Sequence, residues 1–163
     1  MSNDSMAGVA GKYLTFRLAD EEYGLQILKV QEIIGLMAVT RVPKTPEFIR
    51  GVINLRGKVI PVIDLRRKFD LTQQDDTDVS CIIVVQVENR DATITMGIIV
   101  DSVSEVMDIE TGQVEPAPEF GSSVDTEFIL GMGKVGEKVV MLLDSDRVLT
   151  TDDVQAIAEA SRS

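Results

Sequence analysis

An internal repeat constrains the fold of this 163-residue chain more than any other feature. Gly24-Leu25 matches Gly97-Ile98, and Val30-Gln31-Glu32-Ile33 matches Val103-Ser104-Glu105-Val106, in the same order and 73 positions apart. Further matches follow in order and pair Gly51 with Gly131, Lys58-Val59-Ile60 with Lys138-Val139-Val140, and Asp64 with Asp144. A period near 75 residues is too long for a solenoid, and one such copy is small for an independent domain. The sequence therefore predicts two copies of one small lobe packed together.

The composition and the turn signals favour strands for these lobes. Val, Ile and Leu dominate the apolar residues, with two Tyr, five Phe and no Trp, which is typical of strands with aliphatic cores. Short apolar runs at close spacing predict β barrels or a sandwich, although periodicity leaves residues 29–36 open between helix and strand. We expect repeat units at about 13–69 and 81–149, within a domain at 12–150 whose lobe boundaries can interleave. Residues 1–11 are predicted to be disordered, and the N-cap pattern at Thr150–Asp153 predicts a C-terminal helix at 151–163.

Several absences argue against catalysis and against metal or cofactor binding. The chain has no histidine and one cysteine, which removes the commonest general base and rules out a thiolate zinc site. The phosphate-binding and dinucleotide-binding glycine patterns are also absent. Although 27 acidic residues are available, no spacing singles out a catalytic pair. The sequence predicts a protein that is not an enzyme and has no cofactor and no metal site.

Charge is distributed unevenly along the chain. The net charge is −11, yet residues 29–68 carry nine basic and three acidic side chains, so this segment is +6 and the remainder −17. The segment forms either ordinary solvated faces or a basic surface for an acidic protein partner. Nucleic acid is disfavoured, because most of the chain repels phosphate and aromatic residues are few. No apolar run approaches the roughly 20 residues of a membrane span, no secretion signal precedes residue 12, and the lone Cys81 fits a cytoplasmic setting.

The stretch VINLRGKVIPVIDL predicts a hairpin with its turn at Arg56-Gly57. Glycine supplies the positive φ that tight hairpin turns need. The repeat separates this turn from its surroundings, because Asn54-Leu55-Arg56-Gly57 corresponds to Lys134-Val135-Gly136-Glu137 in the second copy. Positions shared by both copies (Gly24/Gly97, Gly51/Gly131 and Asp64/Asp144) are interpreted as turns, close backbone approaches or strand-end caps. Arg56 has no counterpart, so the lobe's fold does not require it.

Four segments together resemble the CheW family of chemotaxis coupling proteins: DEEYGLQILKVQEI, TPEFIRGVINLRGKVIPVIDLRRKF, MGIIVDSVSEVMDI and PAPEF. The resemblance extends from about residue 13 to residue 149. It implies a mainly β fold of two small five-stranded SH3-like β barrels packed together. It also implies a cytoplasmic adaptor, recruited to membrane receptor arrays, that couples the cytoplasmic tips of chemoreceptors (methyl-accepting chemotaxis proteins) to the regulatory domain of the histidine kinase CheA.

The resemblance also implies the partner-binding residues. Arg56 is the principal candidate, together with the other residues of its turn, Asn54, Gly57 and Lys58. Val30 and Glu32 are expected near the receptor-facing groove, and Gly51 precedes the same hairpin strand. Each of the last three residues also has a structural interpretation. Val30 can be a core residue, because its repeat mate is Val103, and Glu32 can share a structural role with its mate Glu105. Gly51 can be required by the backbone conformation.

Three alternatives remain open. The chain could serve a non-flagellar chemosensory array that controls surface motility or gene regulation. It could instead be a calcium-binding barrel, for which Asp75–Asp78 is the place to look. A nucleic-acid-binding barrel would predict strongly salt-dependent binding.

Overall fold

The computed structural model describes residues 9–19, 21–68, 71, 80–89, 92–116 and 129–146. These residues form a mainly β structure, which confirms the predicted class. Its strands are β1 (Gly11–Leu18), β2 (Glu21–Gln26), β3 (Val30–Gly35), β4 (Ile49–Leu55), β5 (Lys58–Asp64), β6 (Cys81–Asn89), β7 (Ala92–Val100), β8 (Ser102–Ile109), β9 (Val114–Glu115), β10 (Ile129–Val135) and β11 (Lys138–Leu143). One short helix, α1 (Leu65–Lys68), follows β5, and 3-10 turns lie at Ile27–Lys29 and Thr111–Gln113. The predicted C-terminal helix at 151–163 and the Asp75–Asp78 segment lie outside the described residues.

The strands form two sheets with matching strand orders. One sheet has the order β3-β6-β7-β5-β4 and is called the five-stranded lobe; the other has the order β8-β1-β2-β11-β10-β9 and is called the six-stranded lobe. The strands at corresponding positions in the two sheets are β3 and β8, β6 and β1, β7 and β2, β5 and β11, and β4 and β10. In the six-stranded lobe the short β9 pairs with β10. The corresponding contact in the five-stranded lobe is an isolated bridge between Thr40 and Val52 of β4. The two lobes are therefore two versions of one structure, as the repeat predicted.

Each lobe draws strands from both copies of the sequence repeat. The five-stranded lobe combines β3, β4 and β5 with β6 and β7, which lie in the second copy. The six-stranded lobe combines β1 and β2 from the first copy with β8 to β11 from the second. Each exchanged pair of strands meets one new partner in parallel, β7 beside β5 and β2 beside β11. It meets the other new partner in antiparallel orientation, β6 beside β3 and β1 beside β8. Neither lobe can form from one copy of the repeat alone.

Three apolar clusters make up the core. Each lobe has an internal cluster, built around Ile53, Val62 and Ile82 in the five-stranded lobe and around Tyr13, Ile109 and Leu142 in the six-stranded lobe. The largest cluster lies between the lobes and takes buried side chains from β1 and β2 as well as from β4 to β7. Removing such aliphatic and aromatic surface from water is the main stabilising contribution in a fold of this kind. The central cluster thus joins the two lobes into one body.

The repeated glycine and aspartate positions have the structural roles predicted for them. A Cβ atom on Gly97 would lie 2.6 Å from Cγ2 of Ile82, and one on Gly24 would lie 3.3 Å from Cδ2 of Leu142. Oδ1 of Asp64 accepts a hydrogen bond from the backbone N–H of Arg66 at 3.0 Å. The equivalent Asp144 accepts one from the N–H of Asp146 at the same distance. Each aspartate therefore caps the chain where the strand ends.

The structure corrects the predicted N-terminal boundary and decides the secondary structure of residues 29–36. The disordered stretch predicted for residues 1–11 ends too late, because Val9 is buried and Gly11 already belongs to β1. The hydroxyl of Tyr13 donates to the carbonyl of Val9 at 2.5 Å, which holds this segment against the six-stranded lobe; residues 1–8 lie outside the described ranges. Residues 29–36, left open between helix and strand, form the end of a 3-10 turn and then β3.

Gly97→Ala is expected to destabilise the protein by about 1–3 kcal/mol, because the added methyl overpacks against the β-branched Ile82 in the sheet. Gly35→Ala in β3 is the matched control, since a Cβ there meets nothing within 4 Å. Urea denaturation of both variants measures the difference. Equal midpoints for Gly97→Ala and the unmodified protein would contradict the close approach.

Candidate partner-binding site

The candidate site is centred on the β4–β5 hairpin. Leu55 pairs with Lys58, so the turn consists of the two residues Arg56 and Gly57. Both have positive φ, 53° for Arg56 and 85° for Gly57, as in the type I′ turns that fit the twist of a two-residue hairpin. Oδ1 of Asn54 accepts a hydrogen bond from the N–H of Gly57 at 2.8 Å. Asn54 and Gly57 therefore shape the turn that presents Arg56.

Arg56 occupies a backbone conformation that disfavours a side chain. A residue with a Cβ is strained in the left-handed region, whereas glycine is not. The equivalent turn position in the six-stranded lobe is Gly136, with φ of 63°. The second hairpin thus shows the residue that this backbone favours, and the first hairpin carries an arginine there instead.

The guanidinium of Arg56 forms a two-pronged ion pair with Glu32 on β3. Nη1 donates to Oε1 at 2.7 Å and Nη2 donates to Oε2 at 2.5 Å. The Arg56 side chain is 69% exposed and that of Glu32 23% exposed. β3 is one edge of the five-stranded lobe, and the β4–β5 hairpin forms the opposite edge, so the ion pair joins the two edges across the surface. Gly136 has no side chain, so the second lobe cannot form the equivalent contact with Glu105.

This contact shifts the titration of both groups. Hydrogen bonding to the Arg56 guanidinium lowers the pKa of Glu32, and the Glu32 carboxylate in turn raises the pKa of Arg56. Hydrogen bonds to a charged form favour that form. Both side chains are therefore charged throughout the neutral pH range, and the site presents a fixed, oriented guanidinium.

The remaining predicted residues take different positions around this ion pair. Lys58 is exposed at the start of β5. Val30 is half-buried and packs against the central cluster, as its repeat mate Val103 does. Gly51 has φ of 148°, and a Cβ there would collide with the carbonyl oxygen of Thr40. The structure brings Arg56, Glu32, Asn54, Gly57 and Lys58 together and places Val30 and Gly51 in packing roles.

Exposed aliphatic side chains on the strands of the site were missed by the sequence interpretation. Ile33 on β3, next to Glu32, and Val59 on β5, next to Lys58, are both exposed. Their repeat mates Val106 and Val139 are exposed as well. The repeat could have indicated these positions, because both copies carry an apolar residue there although the side chain is exposed to solvent. Because successive side chains of a strand point to opposite faces, Ile33 and Val59 are exposed apolar positions on the faces opposite to Glu32 and Lys58.

The part of the chain that the structure describes lacks two other kinds of feature, a metal-binding cluster and a membrane-spanning helix. Its Cys, Asp and Glu side chains nowhere gather in threes suited to a metal ion. None of its helices has the length and apolar character needed to cross a membrane.

These features define a class of protein: a two-lobed β protein with an exposed charged and aliphatic site on one lobe. A family model described as the CheW-like domain matches residues 12–153. The chemotaxis protein CheW of Klebsiella aerogenes is 40% identical over 155 residues, covering 95% of this chain and 91% of that protein. The chemotaxis protein CheW of Bacillus subtilis is 34% identical over 146 residues, covering 89% and 90%.

A solved structure agrees with these relatives. The crystal structure of the scaffolding protein TtCheW from Thermoanaerobacter tengcongensis matches with a TM-score of 0.78 and 37% identity, covering 88% of this chain and 95% of that one. The chain belongs to the CheW family of chemotaxis adaptor proteins. The resemblance seen in the four sequence segments is thereby confirmed, as is the SH3-like fold that it implied.

The ion pair predicts a measurable pH dependence. Because the folded-state pKa of Glu32 is lower than its unfolded value, the pair's contribution to stability is present above the ordinary glutamate pKa of about 4.3 and is lost as pH falls through the lowered value. A carbon-13 NMR titration of the Glu32 carboxyl should therefore give a pKa below the ordinary one. In Arg56→Gly it should return toward the ordinary value; an identical pKa in both proteins would show that Arg56 does not hold Glu32 in solution.

Proposed function

We propose that this chain is a non-enzymatic adaptor that couples the cytoplasmic tips of chemoreceptors to the histidine kinase CheA in signalling arrays. It would act in the cytoplasm and be recruited to the receptors at the membrane. The observation that carries the proposal is Arg56, a charged side chain held at an exposed turn position where the equivalent hairpin has glycine. Membership of the CheW family supports the assignment to chemotaxis.

The geometry of Arg56 suits recognition of a carboxylate or of backbone carbonyls. A guanidinium carries five N–H donors in a planar fork, and Glu32 receives two hydrogen bonds from it. Glu32 fixes the plane of the fork while most of the arginine side chain stays exposed. Because the orientation is set before binding, less conformational entropy is lost when a partner is engaged.

Exposed aliphatic side chains on the strands of this lobe offer a second kind of contact. Ile33 and Val59 are exposed on the two strands that carry Glu32 and the end of the hairpin. Protein interfaces commonly combine charged and aliphatic side chains. Linking several modest interfaces in one array increases the overall affinity without any single strong contact. The adaptor would thus hold receptor and kinase together through multivalent docking.

Arg56→Gly is expected to keep the fold and to weaken assembly with partners by about tenfold or more, as loss of a central interface arginine does. The fold is retained because glycine is the residue that the second hairpin uses at this position. The measurement is co-sedimentation of the protein with a receptor cytoplasmic fragment and CheA, together with receptor-dependent kinase activation. Circular dichroism and thermal unfolding verify the fold of the variant.

Lys12→Ala is the control for this experiment, because Lys12 also forms an exposed ion pair, with Asp108 at 3.0 Å, but lies on the other lobe. It should assemble like the unmodified protein. Normal assembly and activation by Arg56→Gly would refute the role of Arg56. Failure of the unmodified protein to bind either partner would refute the adaptor function itself.

A further inference from the structure

The chain crosses between the lobes at two places within the described residues. The first crossing is the 3-10 turn Ile27–Lys29, which leads from β2 in the six-stranded lobe to β3 in the five-stranded lobe. The second is Asp101, which leads from β7 back to β8. A charged side chain stands at each crossing, Lys29 at the first and Asp101 at the second.

The first crossing is tied to both lobes through Asp146. Nζ of Lys29 donates to Oδ2 of Asp146 at 3.1 Å. Asp146 follows β11 of the six-stranded lobe, and its Oδ1 accepts a hydrogen bond at 2.9 Å from the N–H of Glu88 on β6 of the five-stranded lobe. One carboxylate thereby connects the crossing, the end of one lobe and a strand of the other.

The second crossing also contacts both lobes through one carboxylate, but here the acidic residue lies at the crossing and the basic residue lies in the lobe. Asp101 forms an ion pair with Arg66, which lies in α1 after β5 of the five-stranded lobe. Its Oδ2 accepts a hydrogen bond at 2.8 Å from the N–H of Ala19, in the β1–β2 turn of the six-stranded lobe. Ala19 has φ of 57°, a conformation that a residue with a Cβ rarely adopts, and the contact with Asp101 holds it there.

Arg66 and Asp146 are equivalent residues with opposite charges. Each lies two positions after a repeated aspartate and donates its backbone N–H to the Oδ1 of that aspartate at 3.0 Å. Their partners at the crossings, Asp101 and Lys29, are opposite in charge as well. Each crossing therefore carries an attractive ion pair of reversed sign, although Lys29 and Asp101 are one position apart in the repeat, where Lys29 matches Ser102.

We propose that Asp101 and Asp146 are positioning residues that set the angle between the two lobes. The central apolar cluster holds the lobes together, but hydrophobic contact has no preferred direction. Ion pairs and hydrogen bonds require specific geometry, and buried polar groups can select one arrangement among several apolar ones. If the proposed adaptor function holds, this angle determines how binding surfaces on the two lobes face a receptor and a kinase at once.

The two contacts differ in accessibility, which guides the choice of variants. The side chains of Lys29 and Asp146 are 24% and 29% exposed, whereas those of Arg66 and Asp101 are 9% and 21% exposed. Removing Asp101 leaves the Arg66 charge buried, so that variant can fail to fold. The test therefore uses Asp146→Asn and Lys29→Gln, which change the more exposed contact.

The experiment measures amide residual dipolar couplings of the full chain in a weakly aligned medium and fits one alignment tensor to each lobe. In Asp146→Asn and Lys29→Gln, we expect the two tensors to rotate relative to each other or to differ in magnitude, while the couplings within each lobe are retained. A role in stability alone would lower the unfolding midpoint without altering this angle.

Asp108→Asn is the matched control, because the Lys12–Asp108 ion pair joins β1 and β8 within one lobe. It should leave the inter-lobe angle unchanged. Unmodified angles in both Asp146→Asn and Lys29→Gln would overturn the proposal. The measurement involves neither receptor nor kinase, so its failure is distinguishable from failure of the adaptor function.

Discussion

The apolar cluster between the lobes is the contact on which the rest of the structure depends. It draws buried side chains from seven strands of the two lobes, among them Phe16, Leu25, Ile63 and Ile98. Because the two copies of the repeat exchange strand pairs, the chain must bring distant segments together before either lobe is complete. We therefore expect the two lobes to unfold together as one cooperative unit.

The strand exchange explains why repeated and unique positions behave so differently. A Cβ on Gly97 would intrude on Ile82 of the antiparallel neighbour β6, and one on Gly24 would crowd Leu142 of the parallel neighbour β11. Those positions recur because the packing recurs. Arg56 lies at a hairpin tip, remote from the exchanged strands, where the second copy has Gly136. A position free of packing requirements is available for a residue that serves binding.

The sequence predicted the repeat-related features well and the long-range ones poorly. The structural roles of Gly97 and Asp64 followed from their recurrence, and Arg56 was singled out because it did not recur. The partner of Arg56 could not be predicted, since Glu32 is 24 residues away in sequence and its mate Glu105 suggested a shared structural role. The positive φ of Arg56 was also missed, because Gly57 alone satisfied the expectation for the turn. Sequence similarity between copies likewise does not reveal which copy supplies a strand to which lobe.

The energetics of the Arg56–Glu32 pair favour an interpretation in terms of binding. Exposed ion pairs contribute little to stability, because solvent screens the attraction and two long side chains lose freedom. Here the arginine also occupies a strained backbone conformation that glycine would relieve. Stability by itself therefore does not account for arginine at this turn. Orientation does: Glu32 fixes the guanidinium plane, and a partner then meets a charge whose direction is already determined.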